Sequence, residues 1–111
     1  MSSESEVEGE VVGDRIQLTR GEAAKRPLIQ RLNRIEGQVR GLRKMIEEDR
    51  YCLDEVQQIN ALTAALREVA MAIIAQHVTV GVKIAADSEA SEDVAVDDVM
   101  RVLRAAMRFD G

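Results

Sequence analysis

Cys52 and His77 are the only residues of their kinds in this 111-residue chain. Each is a type that binds soft metals or supports thiol chemistry. They lie 25 positions apart (77 − 52) on a segment that contains no proline. At about 100° per residue that spacing is roughly 2500°, within about 20° of seven full helical turns. The two side chains therefore share one helix face but stand about 37 Å apart along it, so one chain cannot join them. In an antiparallel pair of such helices, Cys52 of one chain lies opposite His77 of the other, and the pair occurs twice by symmetry. A thiolate facing an imidazole there would make a soft-metal or reactive-thiol site. On spacing alone, the other reading is Cys52 as a small buried hydrophobe and His77 as a polar residue at the seam's end.

Other chemistry fits poorly. A Cys–His nucleophile needs an orienting third group and an oxyanion site, and no nearby residues have that form, so no enzyme is expected. A structural zinc site wants four ligands, which one chain with a single Cys and a single His does not supply.

The elements that must carry these residues read as helices. Two aromatics, one Pro and abundant Ala, Leu, Arg and Glu predict an all-α, single-domain chain with too little bulk for a solitary core. Thr19-Arg20-Gly21-Glu22 has capping-box form and Pro27 suits a first turn, so a first helix should start between residues 20 and 27. Leu28, Leu32, Ile35, Val39, Leu42 and Ile46 then follow a 4-3 seam. Gly37 and Gly41 inside it suggest a close helix approach.

A second helix, capped by Asp49, should run from about residue 51 to 86. Its seam is Cys52, Val56, Ile59, Thr63, Leu66, Ala70, Ile73 and His77. Such a helix is about 54 Å long and suits the spine of an antiparallel dimer. Ser91 should cap a third helix over 92–108, with Val99, Val102, Leu103 and Ala106 as its apolar face. Residues 1–18 read as a disordered acidic tail, and 19–111 as the helical domain. No strand is expected. No apolar run approaches the length of a membrane span, and the lone cysteine suits a reducing compartment, so a cytoplasmic location is expected.

Charge is segregated. The net charge of −5 hides a −5 segment over 1–14, a +5 segment over 15–50 and a −5 segment over 51–111. Lys25, Arg26, Arg31, Arg34 and Arg40 fall on the basic segment, several of them off the apolar seam. The sequence contains no helix-turn-helix, zinc finger or aromatic stacking platform. DNA would bind a basic surface assembled from several subunits, with phosphate contacts supplying most of the affinity. The other reading of these residues is a solvated helix face.

Arg31-Leu-Asn-Arg-Ile-Glu-Gly37-Gln-Val-Arg-Gly41-Leu, then Tyr51-Cys52, Gln57-Gln58-Ile59 and His77, resembles the CsoR/RcnR/FrmR family of bacterial transcriptional repressors over about residues 25–108. The resemblance implies a three-helix subunit, an antiparallel four-helix-bundle dimer and a dimer-of-dimers tetramer. It implies operator DNA as a partner, bound without inducer and released when an inducer such as Cu(I) binds. Cys52 and His77 match two ligands of copper-sensing members, while the third position is Gly81. Tyr51 and Asp98 match residues that support those ligands, and Arg31 matches a DNA-contact arginine. Formaldehyde sensing through Cys52 is the alternative inducer chemistry within the family. From outside it, the alternative is a helical oligomerisation module with no sensing role.

Overall fold

The computed structural model describes residues 6–108. Two short strands, β1 (Val7–Val12) and β2 (Arg15–Arg20), precede three helices: α1 (Glu22–Glu47), α2 (Cys52–Asp87) and α3 (Glu89–Met107). α2 is the spine. α1 packs along its first half, where Ile35, Leu62 and Val69 are buried among Leu28, Leu42 and Ala65. Gln58 Nε2 also donates to the Gln38 carbonyl there, at 3.1 Å. α3 and the strands cover the second half through Ile16, Val80 and Ala95, flanked by Leu18, Ile84 and Val99.

The fold measures 59 × 35 × 19 Å. Its thinnest dimension is under two helix diameters of about 10–12 Å, so α2 keeps one face uncovered. The apolar seam of α1 accordingly splits in two. Leu28, Ile35 and Leu42 turn toward α2, while Leu32, Val39 and Ile46 remain exposed. On α2 the inward line is Leu62, Ala65 and Val69. The line read from the sequence, Val56, Ile59, Leu66 and Ile73, is exposed, with Val56 at 51%. By length and composition α2 is apolar enough to cross a membrane, contrary to the sequence expectation. In this fold it is the core helix against which every other element packs.

The first residues differ most from expectation. Residues 1–5 lie outside the described region, but 7–20 form an antiparallel hairpin where a disordered tail and no strand were expected. Gly13, with φ +63°, and Asp14 make a two-residue turn between the paired Val12 and Arg15. Val7, Gly9 and Val11 pair with Arg20, Leu18 and Ile16, and this face turns inward. Glu8 and Glu10 point outward opposite Thr19 and Gln17. The acids lie on the solvent face of an alternating strand, so they do not oppose its folding.

The helix ends also differ in detail. α1 starts at Glu22 after Gly21, so Pro27 sits inside the helix rather than at its start. Asp49 does not cap α2. It takes the left-handed conformation (φ +53°) that closes α1, with Arg50 N–H on the Met45 carbonyl at 2.9 Å and Asp49 N–H on Ile46 at 3.2 Å. Tyr51 precedes α2 in extended backbone instead. Ser88, not Ser91, stands before α3. A Cβ on Gly37 or Gly41 would meet only Arg40 Nη2 at 3.6 Å or Gln58 Nε2 at 3.8 Å, so neither needs to be glycine within one chain.

Asp49→Val should lower stability by about 1–2 kcal/mol, because a β-branched residue resists the left-handed conformation. Asp49→Gly should stay within about 1 kcal/mol of the parent. Urea unfolding of both variants checks this, and equal losses would refute the role given to the φ value.

Candidate functional site

The one-residue link at Ser88 folds α3 back along α2, so residues about equally far from it meet side by side. His77 and Asp98 meet in this way, on the C-terminal half of α2. His77 Nε2 lies 2.6 Å from Asp98 Oδ2, and the two residues are 9% and 4% exposed. The same Oδ2 accepts the Ile16 backbone N–H at 3.1 Å. Oδ1 accepts Arg101 Nη1 at 3.1 Å. An ionised carboxylate only accepts, so Nε2 is the donor and the ring's Nδ1 is left as its second site. Arg101 Nη2 reaches the hairpin turn at Asp14 Oδ2 (3.6 Å), and Arg15 Nε lies 3.5 Å from Asp14 Oδ1.

Gly81 lies one helical turn beyond His77. A Cβ there would come within 2.4 Å of Val99 Cγ2 and 3.4 Å of Ile16 Cδ1. Glycine at this position is required by the packing of α3 and the hairpin, and a longer donor side chain has no room. Gly9 is required in the same way, since its Cβ would meet Val80 Cγ1 at 2.4 Å.

Cys52 opens α2 and is exposed within the single chain. Tyr51 beside it is 69% exposed. Cys52 and His77 occupy opposite halves of one helix, as their spacing required. Among the described residues no trio of Cys, His, Asp and Glu is arranged to hold a metal. Within one chain, then, His77 and Asp98 come together, whereas Cys52 and Tyr51 do not join them.

All five basic candidates, Lys25, Arg26, Arg31, Arg34 and Arg40, are exposed on α1, as are Arg43 and Lys44. Among the described residues none of the seven pairs with an acid, unlike Arg15, Arg50 and Arg101.

Sequence reasoning missed the contribution of the hairpin to this site, namely the Ile16 amide and Asp14, and the role of Arg101 on α3 in linking Asp14 to Asp98. The available signal was Gly13-Asp14 between Val11-Val12 and the alternating Ile16 and Leu18. A groove of about 810 Å³ also runs between β1 and α2, lined in part by Glu8, Gln76, Thr79 and Lys83. It includes none of Cys52, His77 and Asp98.

Residues 24–105 match the family described as metal-sensitive transcriptional repressor. The chain is 55% identical over 49 residues to the copper-sensing transcriptional repressor RicR of Mycobacterium tuberculosis, covering 44% of this chain and 51% of that protein. It is 49% identical over 53 residues to the copper-sensing transcriptional repressor CsoR of Bacillus subtilis, covering 48% and 52%. A CsoR of Mycobacterium bovis is 33% identical over 55 residues, covering 50% and 46%. The chain thus spans about half the length of the curated relatives it matches. No solved structure matches it.

Gly81→Ala should destabilise the fold by about 1–3 kcal/mol, the usual cost of overpacking. Gly81→Ala with Val99→Ala should recover part of that loss, because the side chain in the way has been shortened. Thermal unfolding of the single and double variants measures this, and a neutral Gly81→Ala would contradict the close packing of α2 on α3.

Proposed function

This chain belongs to the metal-sensitive transcriptional repressors, a family of repressors and not of enzymes, and from that premise we propose that it represses transcription by binding operator DNA in the cytoplasm. Cu(I) is the proposed inducer, in keeping with the copper-sensing repressors it resembles. The ion binds between Cys52 of one subunit and His77 of the partner subunit, and DNA is then released.

The observation that carries the reading is the uncovered seam of α2. Antiparallel pairing in the register that opposes Cys52 to His77 also opposes Val56 to Ile73, Ile59 to Ala70 and Thr63 to Leu66. Of these eight residues only Ala70 and His77 are covered within the chain. One register therefore covers a stripe of apolar surface and assembles the donor pair. Asp98 supports the role of His77, because it occupies Nε2 and leaves Nδ1 to face a ligand. Tyr51, next to Cys52, comes to the same end of the paired helices. Two such dimers forming a tetramer would bring the basic α1 surfaces together, with Lys25, Arg26, Arg31, Arg34 and Arg40 on phosphates. Cu(I) dissociates the complex only if it binds the DNA-free arrangement more tightly.

One observation favours a second inducer chemistry. Position 81 has no room for a third donor, so an electrophile such as formaldehyde reacting at the exposed Cys52 thiol is the competing signal.

In titrations of its own promoter fragment, Cu(I) should lower the affinity of the parent protein at least about tenfold, within the usual range of allosteric coupling. Cys52→Ala should bind the fragment normally and change less than about twofold with Cu(I), whereas an undiminished Cu(I) response would remove Cys52 as a sensor. Release of the parent by formaldehyde and not by Cu(I) would select the second chemistry. Arg31→Ala should weaken binding and reduce the slope of log affinity against log salt by about 1.

A further inference from the structure

We propose that the N-terminal hairpin is a positioning element of the His77 site, acting through the carboxylate of Asp98. The inference rests on the reading of His77 as a ligand donor and adds a control to it. The hairpin precedes the segment that matches the family, which begins at residue 24.

Three observations converge. The Ile16 amide donates to Asp98 Oδ2, the oxygen that also holds His77 Nε2, at 3.1 and 2.6 Å. Ile16 and Val11 face each other across the strands, and the Ile16 N–H is directed to α3 rather than spent on the strand ladder. Arg101 ties the other oxygen, Oδ1, to Asp14 in the hairpin turn. The hairpin thus contacts both oxygens of the carboxylate, one directly and one through Arg101.

Its docking is also close and specific. Gly9 lets β1 rest on Val80, and Ile16 is buried against Val80 and Ala95. Arg20 Nε donates to Gln76 Oε1 at 2.7 Å, one residue before His77. When the hairpin is docked, the carboxylate has one orientation and holds Nε2, so Nδ1 is the ring nitrogen left for a ligand. When it is undocked, Asp98 loses the Ile16 donor and gains freedom to turn, and His77 loses its fixed presentation. Ligand binding at His77 and docking of the hairpin are therefore coupled, and each strengthens the other by the same factor.

Gly9→Val in the full chain separates the hairpin from Val80 without touching His77, Asp98 or Cys52, and Ile16→Pro deletes the donating amide itself. In metal-free protein, the Nε2 proton of His77 should exchange slowly enough to be seen by nitrogen-edited NMR. Both variants should speed that exchange at least about tenfold, whereas Gly9→Ala combined with Val80→Ala, which makes room for the added Cβ, should stay nearer the parent rate. Competition with a chromogenic Cu(I) chelator should show affinity falling about tenfold in Gly9→Val, at the low end of the usual effect of disturbing a ligand's supporting hydrogen bonds. In an Asp98→Asn background the same substitution should cost less than about twofold. A full tenfold cost in that background would overturn the proposal, since the hairpin would then act as a cover and not through Asp98. An unchanged Nε2 proton in either variant would also overturn it. That measurement uses no metal, so it decides the role of the hairpin even if Cys52→Ala retains its Cu(I) response and the sensing site lies elsewhere.

Discussion

A buried carboxylate is retained only where its oxygens are supplied with donors, and Asp98 obtains three of them from three elements: His77 on α2, Ile16 on β2 and Arg101 on α3 itself. That requirement fixes much of the molecule. It sets the register of α3 against α2, because one helical step either way would strand His77 or the carboxylate without its partner. It also sets the height at which the hairpin docks, since the Ile16 amide would otherwise be a buried donor with no acceptor, at a cost of about 1–3 kcal/mol. The close packing at Gly81 and Gly9 follows from it. With α3 and β2 both drawn in to Asp98, Val99 and Ile16 fill the space beside Gly81 and Val80 fills the space beside Gly9.

The second constraint is the length of α2. A helix of 36 residues in a chain of this size presents more apolar surface than α1, α3 and a hairpin can cover. The heptad lines divide accordingly, with Leu62 and Val69 inside the chain and Val56, Ile59, Leu66 and Ile73 outside it. α1 repeats the division, with Ile35 inside and Leu32, Val39 and Ile46 outside. In the proposed pair the exposed lines become the interface. His77 lies where both arrangements meet, bound to Asp98 within its chain and, in the proposed pair, opposite Cys52 of the partner subunit.

Three helices, their seams and the placement of Cys52 and His77 on one face of α2 were legible in the sequence, because a 3.6-residue period over long uninterrupted segments leaves little choice. Which seam faced which neighbour was not legible. Leu28 and Leu32 look alike in a 4-3 pattern, and only the partner that a single chain supplies separates them. Asp49 was misplaced because a short polar residue near a helix end serves either as an N-cap or as the left-handed residue that ends the helix before, and Ser91 because Ser88, three residues earlier, is an equally suitable cap type. The hairpin was lost to composition, since Glu4, Glu6, Glu8 and Glu10 suggest solvation when counted. Their alternation places two of the described acids, Glu8 and Glu10, on the outside of a strand. Asp98 entered the site only through resemblance, because nothing local sets it apart from the other four acids of α3, and it acquires its role from residues 21 and 82 positions away.

Folding of the hairpin also bears on how a chain with net charge −5 could bind a polyanion. A flexible acidic tail of some twenty residues could extend about 70 Å, far enough to lie on any part of α1 and compete with DNA for its cations. In the hairpin, Glu8 and Glu10 are held on the outer face of β1, whose inner face rests on the second half of α2. Exposed charges more than about 10 Å apart are largely screened at ordinary salt, so acids fixed in place oppose only the phosphates near them. The seven exposed cations of α1, unpaired among the described residues, are left free to act together. The docking that orders Asp98 thus also confines the acidic segment, and loss of that docking would disturb both the ligand site and the charge pattern of the proposed DNA surface.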